Sequence, residues 1–166
     1  TRERVIDDVL NQEFPIINSA YLGERTRYSW NTLMANGAGP EEPRFCGITR
    51  YDLQQDSCTS YHAGMHKWFN EHSFAPKDHA VAEDDGYLVT FVTDMNENRS
   101  ECVILNAQDI EAGPVCRIIL PHRISSGTHA TWAHGEDIRA AAAKRAATVA
   151  SVSPNRVLLS ECPTIT

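Results

Sequence analysis

Three groups of residues have types that could do chemistry. Cys58, His62, His66, His72 and His79 lie close together in the chain, and zinc sites often take Cys and His three to five residues apart. Residues four apart share a face only on a helix. The residues here, Cys58-Thr59-Ser60-Tyr61 and then Ala63-Gly64-Met65, have strand and loop composition. The set therefore reads as surface and loop histidines. Glu83-Asp84-Asp85-Gly86 offers clustered carboxylates, the hard ligands that Ca²⁺ prefers. Calcium loops alternate their ligands, so a polar turn feeding a strand, with Asp85-Gly86 supplying a positive φ, is the simpler reading. Ser125-Ser126-Gly127-Thr128-His129 joins hydroxyls to an imidazole, but no G-x-S-x-G elbow is present to hold a nucleophile. His129 has no local partners. One imidazole cannot hold a metal, so it is either a turn residue or one corner of a site larger than this chain.

The elements that position these groups read as β. Residues 26–33 and 45–53 mix aromatic and β-branched side chains, and residues 57–62 can pair back after the Gln54-Gln55-Asp56 turn. Residues 87–93 form the strongest strand, following the Asp-Gly turn signal. Residues 95–98 read as a hairpin loop into a strand over 101–105. A further strand over 115–120 stops at Pro121. Short spacings and frequent turns predict an antiparallel all-β body: a sandwich, a barrel or propeller blades. Residues 35–43 read as a Gly/Pro/Glu-rich loop. Residues 136–149 read as an Ala-rich helix with acidic residues in its first turn. A short strand at Val157-Leu158-Leu159 is a further expectation.

The 166 residues suit one domain with a real core. The net charge of −7 and the scattered basic residues argue against a nucleic-acid partner. Five cysteines without a C-x-x-C pair do not suggest a disulfide framework, which favours a reducing, cytoplasmic setting. The N-terminus is charged, lacks an apolar h-region and does not start with Met. It reads as no signal peptide, and either excision from a longer chain or processing accounts for the missing Met.

A series of segments adds a family to this reading. Glu13-Phe14-Pro15-Ile16-Ile17-Asn18, Gly23, Arg27-Tyr28, Tyr51-Asp52 and Glu71-His72-Ser73-Phe74-Ala75-Pro76 come first. Glu83-Asp84-Asp85-Gly86-Tyr87-Leu88, Asn106-Ala107, Gly113-Pro114-Val115, Leu120-Pro121-His122-Arg123 and Gly127-Thr128-His129-Ala130-Thr131-Trp132 follow. In this order they resemble the C-terminal end of the carotenoid oxygenase family, which includes carotenoid cleavage and lignostilbene dioxygenases. The resemblance implies the C-terminal blades of a seven-bladed β-propeller over residues 1–134, with residues 135–166 as a helical tail of no assigned role. It implies Fe(II) held by four histidines from different blades, with carboxylates behind them.

Residue by residue, the resemblance makes His129 the last iron ligand. It makes Glu13 and Glu71 carboxylates that orient iron-bound imidazoles. Neutral imidazole suits Fe(II), and a carboxylate on the other ring nitrogen fixes tautomer and direction. The implied reaction inserts both atoms of O₂ across a C=C bond of a carotenoid, apocarotenoid or stilbene to give two carbonyl products. The implied partners are a lipophilic polyene or stilbene, O₂ and the N-terminal blades that are missing here. Greasy substrates also imply contact with a membrane surface, although no amphipathic basic helix is evident to carry it. A full family member has roughly three times this length, beyond the usual single-domain size, and the other three iron histidines are absent from this chain. Isolated residues 1–166 are thus expected to bind iron weakly or not at all. The alternative function is a truncated, non-catalytic propeller fragment, and a local zinc protein using His62 and His66 is a third option.

Overall fold

The computed structural model describes residues 5–35 and 44–151. They form two antiparallel sheets followed by one helix. In the first sheet β1 (Gln12–Ile16), β2 (Tyr28–Met34), β3 (Phe45–Asp52) and β4 (Ser57–His62) run as a meander, each strand beside the one before. The second sheet contains β5 (Lys67–Phe69), β6 (Ser73–Pro76), β7 (Gly86–Asp94), β8 (Arg99–Asn106) and β9 (Pro114–Ile119). β5 pairs with residues 92–94 of β7 and β6 with residues 86–89, so β5 and β6 are two pieces of one interrupted strand. Each sheet is therefore a four-position meander, the form of a propeller blade.

Period-two alternation decides what is buried. Tyr28, Trp30 and Thr32 share one face of β2, and Leu88 and Val92 share one face of β7, with Val103 and Leu105 beside them on β8. These faces meet. The Trp30 and Phe74 rings stack with centroids 5.0 Å apart, and the Trp30 indole N–H donates to the Ala107 carbonyl at 3.1 Å. The indole thus buries its large apolar surface while its one polar atom stays satisfied.

The acidic turn at residues 83–85 ties the two sheets together. The Glu83 carboxylate accepts the main-chain N–H groups of Arg27 and Tyr28, at 2.9 Å from each to Oε1. Asp84 pairs with Arg50 at 2.7 Å, and the Arg50 guanidinium lies 4.2 Å from the centre of the Tyr28 ring. Asp85 takes Lys77 at 2.7 Å. Beyond it, Arg27 forks onto Asp52 and holds that carboxyl down at about 2. Gly86 departs from the sequence expectation, since its φ is not positive. A glycine is required there for a different reason: a Cβ would lie 2.4 Å from the Phe74 ring and 2.7 Å from the Ala75 carbonyl.

The expected strands at residues 26–33, 45–53, 57–62, 87–93, 101–105 and 115–120 appear with shifts of one or two residues at their ends. β1, β5 and β6 were not expected. The helix α1 (Gly135–Ser151) covers the expected Ala-rich run, with Glu136 and Asp137 in its first turn where they complement the helix dipole. It belongs to a separate compact unit, Ala133–Thr166, distinct from Thr1–Trp132. The strand expected at 157–159 and most of the loop at 35–43 lie outside the described residues. No helix among the described residues is long and apolar enough to cross a membrane.

Candidate active site

The interruption between β5 and β6 creates the site. After Asn70, whose N–H still reaches the Phe91 carbonyl at 2.9 Å, the strand leaves the ladder, and the Thr90 hydroxyl donates to the Asn70 carbonyl at 2.9 Å. Glu71 and His72, in the break, are both buried, at 7% and 0% exposure.

Glu71 reaches the segment after β9. Its Oε2 accepts the Ala130 main-chain N–H through a short hydrogen bond and lies 3.4 Å from His129 Nδ1. A carboxylate is an acceptor, so this contact favours the His129 tautomer with the proton on Nδ1 and a bare Nε2. The His129 side chain is 78% exposed. Its ring stands edge-on to Phe14 with centroids 5.6 Å apart, and Phe14 packs on Phe45 at 5.1 Å. Phe14 occupies a left-handed position, φ 53°, at the irregularity between Glu13 and Ile16 in β1. That bend accompanies the turn of the Phe14 ring toward the histidine.

Glu13 sits directly opposite Thr32 in the β1–β2 register. It is exposed and has no hydrogen-bond or ion-pair partner among the described residues. The structure therefore brings Glu71 and His129 together, while Glu13 makes no hydrogen bond or ion pair with either. Two residues that the sequence reading passed over belong to this region: Phe14, part of the quoted Glu-Phe-Pro segment, and His72, which had been grouped with the loop histidines.

His72 lies in the break between β5 and β6 but is fully buried, not a surface residue. Burial drives its imidazole down to about 4, so it is neutral at ordinary pH. Cys58 and His62 occupy β4 at positions about 13 Å apart along an extended strand, too far to share one ion. His66 takes a left-handed turn conformation, φ 62°.

No group of three His, Cys, Asp or Glu side chains able to hold a metal ion comes together among the described residues. His129 backed by Glu71 has the donor chemistry of one ligand in a histidine-held centre. One corner fits, and a complete site does not. A cleft of about 500 Å³ reaches Asn70, the neighbour of Glu71, and Phe45, which packs on Phe14; its wall combines Phe45, Trp68, Phe69, Met95 and Ile124 with Arg44, Arg123 and His66, and includes neither Glu71 nor His129.

The family described as RPE65, retinal pigment epithelial membrane protein, matches residues 1–134. The chain belongs to this carotenoid oxygenase family. A carotenoid 9,10(9',10')-cleavage dioxygenase 1 of Arabidopsis thaliana is 31% identical over 140 residues, which is 76% of this chain and 25% of that protein. Lignostilbene-alpha,beta-dioxygenase isozyme III of Sphingomonas paucimobilis is 30% identical over 137 residues, 78% of this chain and 28% of that protein. The structure of cobalt-substituted Synechocystis apocarotenoid oxygenase superposes with a TM-score of 0.67 at 31% identity, covering 74% of this chain and 25% of that one. The chain thus spans about a quarter of the length of the carotenoid oxygenases it matches.

Proposed function

We propose that these residues are the C-terminal part of an Fe(II)-dependent oxygenase that cleaves a C=C bond of a carotenoid, apocarotenoid or stilbene. The observation that carries the reading is the Glu71–His129 pair: a buried carboxylate facing Nδ1 of an imidazole whose Nε2 is free to bind a metal. A relative with a cobalt-substituted structure supports a metal-dependent activity. Phe14 against His129, joined through Phe45 to the cleft with Trp68 and Phe69, offers aromatic surface that suits a greasy conjugated substrate. Iron, when bound, would supply the centre at which O₂ reacts. What this chain contributes is one oriented imidazole, the carboxylate behind it and an apolar wall. In the reaction O₂ adds across one C=C bond, and the two carbons leave as two carbonyls, so atoms and electrons balance without a further reductant.

One observation favours a second reading for the isolated chain. Three donor side chains do not meet among the described residues, so residues 1–166 alone are a non-catalytic fragment under this reading. A single experiment tests both. Residues 5–132 are exchanged for the corresponding segment of the Synechocystis oxygenase, and the chimera and the isolated chain are each titrated anaerobically with Fe(II). The chimera is expected to bind iron and to release aldehyde from an apocarotenoid or a stilbene, and His129→Ala in the chimera to abolish both. The isolated chain is expected to bind only weakly. A chimera that turns over with His129→Ala in place overturns the proposal, and tight stoichiometric binding by the isolated chain overturns the fragment reading.

A further inference from the structure

His72 is the most deeply buried titratable side chain among the described residues, and nothing in the proposed reaction uses it. Its two ring nitrogens identify its role. Nε2 lies 3.2 Å from the Trp30 main-chain oxygen, which can only accept, so Nε2 carries the proton. Nδ1 is then bare and accepts the Thr32 hydroxyl proton at 3.0 Å. Both nitrogens are engaged within the protein, so His72 has no lone pair for a metal.

The bridge joins two particular places. On one side it follows Glu71 directly, in the break between β5 and β6. On the other it ends on β2, at Thr32, the residue opposite Glu13. Trp30, its other anchor, lies opposite Ile16 at the irregular part of β1, where Pro15 has no N–H to give to the ladder. The carboxylate at His129 and the strand opposite the second carboxylate are thus linked by two hydrogen bonds through one ring.

We propose that His72 is a positioning residue: held by Trp30 and Thr32, it fixes Glu71 against Ala130 and His129 and so sets the direction of the His129 imidazole. The functional meaning of this rests on the reading above, but the geometry does not. On the β7 side, Asn70 donates its N–H to the Phe91 carbonyl and the Thr90 hydroxyl lies within hydrogen-bond distance of the Asn70 and Glu71 carbonyls. His72, clamped to β2, supplies the second hold, from the opposite sheet, and so fixes which way residue 71 faces between the two.

The test uses the 166-residue chain labelled with ¹⁵N and free of metal. Two signals are read at neutral pH: the Ala130 amide proton, shifted downfield by its carboxylate partner, and the His129 tautomer from its ring nitrogen shifts. Thr32→Val keeps the shape and removes one hydrogen bond, and His72→Leu removes both. Val103→Ala, a core truncation on β8, serves as the control for plain destabilisation. The expected result is loss of the Ala130 downfield shift and of the Nδ1–H preference of His129 in His72→Leu. Thr32→Val should show the same losses in part, His72→Gln a partial return, and Val103→Ala no change. If both signals persist in Thr32→Val and in whatever folded His72→Leu is obtained, the inference is overturned. It is also overturned if Val103→Ala moves them equally. Should His72→Leu not fold, Thr32→Val decides alone. A chimera that fails to bind iron while these shifts behave as expected would defeat the proposed function and leave His72 in this role.

Discussion

His72 has both ring nitrogens engaged inside the core, whereas His129 turns one toward Glu71 and leaves most of its ring to solvent. Glu71 stands between them, adjacent to the first in sequence and beside the second in space. The buried histidine has every partner it needs within the described residues. The exposed one has an orienting carboxylate and an aromatic neighbour, but among the described residues no group of three donors able to hold a metal forms around it. The orienting contacts of the proposed ligand are therefore present among the described residues, while a three-donor centre is not.

The contrast can be broken hardest at Trp30, the centre of the sealed side. Trp30→Ala removes the stack on Phe74 and the bond to Ala107 and is expected to cost about 3–5 kcal/mol, measured by urea denaturation. Acid acts on the same side more gently. The folded state holds His72 down at about 4, while the unfolded chain takes up that proton near 6.5. The contribution is whole above pH 6.5, is lost as pH falls toward 4 and changes no further below it. It amounts to up to about 3 kcal/mol, and His72→Gln should flatten that part of the stability–pH curve. Asp52 follows in a lower window, since its carboxyl is stabilising above its ordinary range and loses that effect as pH falls toward 2. Glu71→Gln probes the junction: it weakens a charge-assisted bond to Ala130 and should cost about 1–2 kcal/mol. His129→Ala should be the mildest, within about 0.5 kcal/mol by the same denaturation assay, because little is buried there. A large stability loss from His129→Ala would show that the exposed side is not the open half described.

Much of the sheet body is legible from alternation, since β2, β3, β7 and β8 are long and rich in β-branched and aromatic residues. β1 and β6 escape because each carries a proline in so few residues, and β5 because it has three residues. They become strands through pairing with a longer neighbour, which no local pattern records. The site is less legible. Residue types alone led to a solitary His129, and only the family resemblance attached Glu71 and Glu13 to it. His72 was misread because its flanks, Glu71 and Ser73, look like surface. Its burial is decided by Trp30 and Thr32, some 40 residues upstream. Gly86 teaches the same lesson, since the ring that forbids a side chain there arrives on β6.

β9 has a practical consequence for anyone handling the protein. It is the outermost strand of its sheet among the described residues, and Val115, Ile118 and Ile119 are each half or more exposed along it. Open backbone groups beside apolar side chains recruit another strand wherever one is offered. In a dilute solution of the isolated chain the nearest such strand belongs to another copy. Light scattering that climbs with protein concentration, and subsides when a lysine replaces Ile118, would mark this edge as the seam.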